Sequence, residues 1–289
     1  MTTIDEIVQV RAHEPERIAK VLRDRPRGTM PEGADAMLMI IAADHPARGA
    51  LAAGADPMAM ADRGDLLARC VEALSRPGVH GFLGTADIIE ELALLGALDG
   101  KLVYGSMNRG GLAGARFEMD DRFTGYDARG VAVAGLDGGK MLMRIDYEDP
   151  GTIRTVEACA RAVDELASHG AMAMVEPFMS RRVDGKVHND LSPDAVIRSI
   201  AITSGLGRTS AYTWLKLPCV PEMERVMAAS TMPALILGGE VSDDPEAALA
   251  GWAQALALPS VKGLVIGRSL LYPPGDDVAA AVDNAVGLL

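Results

Sequence analysis

Lys216 lies in residues 211–219, Ala-Tyr-Thr-Trp-Leu-Lys-Leu-Pro-Cys, a short and mostly apolar run with one cation near its end. The pattern reads as a strand that Pro218 stops, because proline lacks the ladder donor. Burial disfavours a charged amine, so such a strand must either discharge its lysine or use it. A neutral, desolvated lysine is a nucleophile that condenses with a carbonyl to form a Schiff base. The plainer reading lets Lys216 snorkel from the strand tip to water.

Other apolar runs also carry ions near their ends: Asp44, Arg144, Asp146, Glu176 and Arg268, with Lys140 deeper in its run. Lys140, Arg144 and Asp146 share strand parity and so are expected on one side. A carbinolamine needs a proton donor and acceptor at one carbon, a role that suits Glu176. A neighbouring cation such as Lys140 favours the neutral nucleophile. Asp44 could orient a substrate hydroxyl or hold a lysine, or simply cap a turn. Gly238-Gly239 closes one run and Gly267-Arg268-Ser269 the next. Backbone N–H groups at such glycines, with a guanidinium beside them, suit a phosphate. His45 follows Asp44 and joins the substrate-binding set. The five histidines are scattered without ligand spacing, so no metal is expected. No other cofactor is implied.

These residues need elements to position them. Eight apolar runs, near residues 37–44, 79–85, 101–107, 140–146, 171–178, 211–219, 234–240 and 263–269, alternate with segments of helical spacing. That alternation implies a parallel α/β sheet, and eight units in 289 residues favour a closed (β/α)8 TIM barrel. Residues 1–36 are expected to add an N-terminal helix and loop, and residues 1–289 to form a single domain. In such barrels the C-terminal strand ends form the active face, and phosphate sits after the last two strands. Residues 108–123 form a glycine-rich, charged connection without helical periodicity, and residues 179–191 read as a polar loop.

The net charge of −12 argues against general binding to nucleic acid or an anionic membrane. No run approaches the ~18 apolar residues of a membrane span. Three separated cysteines suit a reducing compartment, and a cytoplasmic protein is expected.

Taken in order, the residues resemble the class I (Schiff-base) aldolase superfamily from about residue 42 to 272. Ala43-Asp44-His45 looks like its strand-one acid. Gly135-Leu-Asp-Gly-Gly-Lys140 is similar to the strand-four lysine segment of tagatose-bisphosphate aldolases. Val175-Glu176-Pro177 looks like their strand-five glutamate, Trp214-Leu-Lys216-Leu-Pro like the Schiff-base strand, and residues 237–239 and 266–268 like the phosphate cradle. Archaeal-type fructose-bisphosphate aldolases share the last three features, but their acid/base tyrosine appears here as Phe178. Relatives of this barrel also include deoxyribose-phosphate aldolases and enzymes of inositol breakdown. The resemblance implies a carbon–carbon lyase acting on a phosphorylated ketose or keto-sugar acid through Lys216, in a homo-oligomer. The alternative is a non-catalytic or transferase-type barrel that binds a sugar phosphate.

Overall fold

A computed structural model describes residues 3–242 and 244–289. Among the described residues nine strands occur in chain order: β1 (Leu38–Ala42), β2 (Gly81–Gly84), β3 (Leu102–Ser106), β4 (Gly138–Ile145), β5 (Met172–Val183), β6 (Lys186–Asn189), β7 (Thr213–Pro218), β8 (Ala234–Leu237) and β9 (Val261–Ile266). All except β6 pair in parallel, and the β4–β5 pairing closes them into an eight-stranded TIM barrel. Helices follow most of the strands and pack outside, as the alternation of apolar runs and helical segments requires.

Alternation along each strand divides the core. Leu38, Ile40, Ala42, Leu83, Leu102, Tyr104, Met172, Met174, Leu235 and Val265 fill the barrel interior as one buried cluster. Their neighbours, among them Met39, Ile41, Val103, Met141, Val175 and Leu215, face outward into the larger cluster beneath the helices. Among the residues that continue the inward parity past this apolar filling are five polar ones: Asp44, Ser106, Lys140, Glu176 and Lys216. The alternation that packs the barrel therefore also raises a charged layer on its C-terminal side.

The N-terminal segment forms two helices, Ile4–His13 and Glu16–Asp24, where one was expected. Pro15 separates them, because it has no N–H to continue the first helix's hydrogen-bond ladder. The chain then crosses the opposite mouth of the barrel. Arg25 donates to the Gly135 carbonyl at 3.0 Å, and Lys262 donates to that of Ala34 at 2.8 Å.

Residues 179–191 also depart from the expected loop. β5 runs on to Val183 and returns as the antiparallel β6, with Ser180 opposite Asn189 and Arg181 opposite His188. Asp184 and Gly185 turn the hairpin at φ 49° and 80°. Asp-Gly between extended residues is a strong hairpin signal, and it was present in the sequence.

Candidate active site

Asp44 follows β1 and sits above the apolar filling, 2% exposed. Its Oδ2 accepts from Ser106 Oγ, an Arg109 guanidinium nitrogen and Lys140 Nζ, each at 3.1 Å. A second Arg109 nitrogen donates to the Asp44 backbone carbonyl. Lys140 Nζ also reaches Glu176 Oε2 at 2.5 Å, and Lys216 Nζ reaches Glu176 Oε1 at 2.7 Å. The chain of contacts thus runs Arg109–Asp44–Lys140–Glu176–Lys216 across β1, β4, β5 and β7 and the segment after β3.

This burial decides the protonation states. Desolvation by itself would raise the Glu176 carboxyl, but Lys140 and then Lys216 outweigh it and hold the group at about 2. The same contest at Asp44 is won by Lys140 and Arg109, which keep it well below the ordinary carboxylate range. Both acids are therefore ionised at neutral pH. Burial lowers the Lys140 ammonium from its usual value, and Asp44 and Glu176 oppose that shift. His45 is pushed down to about 3, first by burial, with Asp44 opposing and Arg268 reinforcing. It is neutral at pH 7.

Asp44, His45, Lys140, Glu176, Lys216, Gly238, Gly239, Gly267 and Arg268 all line one cavity of about 740 Å³. That volume lies within the ordinary range for small-molecule sites, about 300–1,000 Å³. Gly267 lies so close to β1 that an added Cβ would meet the Ala42 carbonyl at 2.4 Å, and Gly239 holds φ at 70° over open space. Glycine at both positions lets the backbone edge the cavity without a side chain in the way. The Arg268 guanidinium donates to the Ala52 carbonyl at 3.2 Å. Arg268 Nε and His45 Nδ1 have no hydrogen-bond partner among the described residues.

Arg144 and Asp146 lie outside this cavity, contrary to the expectation from strand parity. β4 rises beyond the charged layer at Arg144, which pairs with Glu118 of residues 108–123. Asp146 accepts from the Glu148 N–H at 3.0 Å in the turn after β4 and lines a separate outer groove. Parity fixes the side of a strand but not the height at which the barrel ends.

Among the cations that line the cavity, Arg48 and Arg109 were missed in the sequence. They lie outside any apolar run, so no strand pattern points to them. The glycine-rich character of residues 108–123 marked that segment as a whole without singling out Arg109.

The fold is a TIM barrel with a layer of ionised side chains on its C-terminal side. A structure described as the Schiff base forming fructose-1,6-bisphosphate aldolase matches with TM-score 0.62 at 16% identity, over 94% of this chain and 99% of that one. A fructose-bisphosphate aldolase from Slackia heliotrinireducens DSM 20476 matches with TM-score 0.60 at 12% identity, over 95% and 92% of the two chains. At these identities the shared feature is the barrel.

The chain belongs to the Cgl0159-like family, whose model matches residues 36–286. The crystal structure of Cgl0159 from Corynebacterium glutamicum is 55% identical and superposes with TM-score 0.95, over 98% of this chain and 95% of that one. No curated protein matches the chain. Among the described residues, no helix is long and apolar enough to cross a membrane.

Proposed function

We propose that the chain is a class I aldolase that cleaves or forms a carbon–carbon bond in a phosphorylated ketose or keto-sugar acid. The observation that carries this reading is one ionised carboxylate, Glu176, held between two lysines, at 2.7 Å from Lys216 and 2.5 Å from Lys140, in the wall of an open cavity. A salt-bridged Lys216 with no open pocket beside it would favour a barrel without aldol chemistry. Here the ion pair borders the cavity.

In the proposed cycle the substrate phosphate docks at Gly238, Gly239, Gly267 and Arg268, where Arg268 supplies charge-assisted donors. The Lys216 free amine attacks the ketone carbon. Glu176, in contact with Nζ, has first taken the ammonium proton of Lys216 and gives it to the carbonyl oxygen as the C–N bond forms; it then takes a second proton from nitrogen and passes it to the new hydroxyl, which leaves as water. The iminium then draws electrons from the adjacent C–C bond. A carboxylate removes the proton of the hydroxyl on the far carbon, and that carbon leaves as the aldehyde. The enamine accepts a proton, and water releases the ketone product. Lys140 keeps both acids ionised and so able to accept protons, while Asp44 holds Lys140 and can receive a substrate hydroxyl. Phe178, which also lines the cavity, has no hydroxyl to share this work.

A second reading places the imine on Lys140, favoured by the lowering of its ammonium on burial. Against it, Lys140 is tied to two carboxylates and Lys216 to one. The test is incubation with phosphorylated ketoses and keto-sugar acids, with and without borohydride. Aldehyde release together with borohydride-dependent inactivation supports the proposal. Cleavage insensitive to borohydride at saturating substrate would contradict it.

A further inference from the structure

The β5–β6 hairpin is built on the strand that carries Glu176, and its returning arm borders the cavity. Val187, His188, Asn189 and Leu191 line it, in addition to the charged layer and the glycine cradle. The order of strands around the barrel fixes the geometry. Gly238-Gly239 follows β8 and Gly267-Arg268 follows β9; β7, bearing Lys216, stands between β8 and β5. A molecule anchored by phosphate at the cradle and reacting at Lys216 thus extends toward the hairpin. Its half beyond the reacting carbon meets β6.

That wall offers hydrogen-bonding groups between apolar flanks, and no lysine or arginine of the hairpin lines the cavity there. His188 makes no side-chain hydrogen bond among the described residues. Asn189 Oδ1 accepts from Ser180 Oγ at 2.9 Å, which orients the amide and leaves its NH2 donors available. Val187 and Leu191 supply apolar flanks. The hairpin's arginines are used elsewhere. Arg181 stands opposite His188 in the ladder, yet it lines the outer groove with Asp190 and Asp194. Arg182 donates to the Gly185 carbonyl at 2.9 Å and that of Arg116 at 3.1 Å.

We propose that β6 forms the subsite for the part of the substrate that leaves as the aldehyde, and that it reads a neutral hydroxylated chain through His188 and Asn189 rather than a second phosphate. The substrate class is then a monophosphorylated sugar or sugar acid whose far half carries hydroxyls. This deepens the aldolase reading and rests on it for direction along the cavity.

The test uses ligands that cannot form an imine, so it is independent of Lys216. Binding of glycerol phosphate and of a hexitol monophosphate is measured by calorimetry on the full chain, for the parent and for His188→Ala and Asn189→Ala. Both residues are exposed, and an unchanged thermal midpoint verifies folding. The hexitol phosphate should bind about tenfold or more tightly than glycerol phosphate, the worth of one or two neutral hydrogen bonds. Each variant should lose most of that advantage and leave glycerol phosphate binding unchanged. Equal affinities in the parent, or equal losses for both ligands in the variants, overturn the proposal. So does a hexitol bisphosphate that gains a further tenfold through His188. Borohydride trapping of a three-carbon ketone phosphate, run on the same proteins, reports on the Schiff-base reading separately: its failure alone leaves the binding result standing.

Discussion

Glu176 can serve as a base near neutrality only because cations offset its burial. Without them, desolvation would push its carboxyl up and leave it protonated. Lys140 is the strongest of these cations for both Glu176 and Asp44. Lys140→Met should therefore raise both carboxyls. A base works in its ionised form, so the acid limb of the kcat/KM profile should move to higher pH, by about one to three units. An unmoved limb would mean that another group sets it. Glu176→Gln keeps the shape but removes the base, and turnover should fall by roughly 10²–10⁴-fold. At this scale the sequence was informative where a residue stood in a strand. Asp44, Lys140, Glu176 and Lys216 were each an ion at the end of, or within, an apolar run. Arg109 and Arg48 had no such frame, because their placement depends on how residues 108–123 fold back over β1 and β4.

That segment behaves as a strap whose fastenings are buried. Asn108 pairs with the backbone of Leu142 through both its side-chain groups, Asp121 pairs with Arg48, and Glu118 with Arg144. Folded in this way, the segment carries Arg109 into contact with Asp44. Removing one partner of a buried ion pair strands the other, at a cost of about 3–5 kcal/mol. Arg144→Met should accordingly lower stability in urea by about that amount while affinity for glycerol phosphate is kept, since Arg144 does not border the cavity. Weakened phosphate binding with unchanged stability would return Arg144 to the substrate-binding set. The hairpin carries a similar lesson. Its residues alternate too little in hydrophobicity to read as strands, and Asp184-Gly185 was the local signal that could have found it.

Across the whole molecule, eight apolar runs were enough to give the barrel, because a closed parallel barrel buries every strand on both faces and leaves an unmistakable pattern. What the pattern could not carry was the height of the barrel rim, which removed Arg144 and Asp146 from the site, and the break at Pro15. The folded chain also lowers the His45 imidazole to about 3 from 6.5, although 29% of its side chain remains exposed. The unfolded chain then binds a proton that the native one refuses, so stability is lost as pH falls from about 6.5 towards 3. His45→Gln should flatten the decline in unfolding free energy between pH 7 and 4, by at most about 3 kcal/mol. An identical slope in parent and variant would show that His45 titrates alike in both states.

The most direct measurement of the central claim is a peptide map of the adduct formed when borohydride reduces the protein in the presence of a phosphorylated ketone that it cleaves or forms. The account predicts one added mass, on the peptide containing Lys216, and no adduct in Lys216→Arg. Label on Lys140 would move the imine to the neighbouring lysine. With turnover confirmed, label on neither lysine would contradict Schiff-base catalysis at this site.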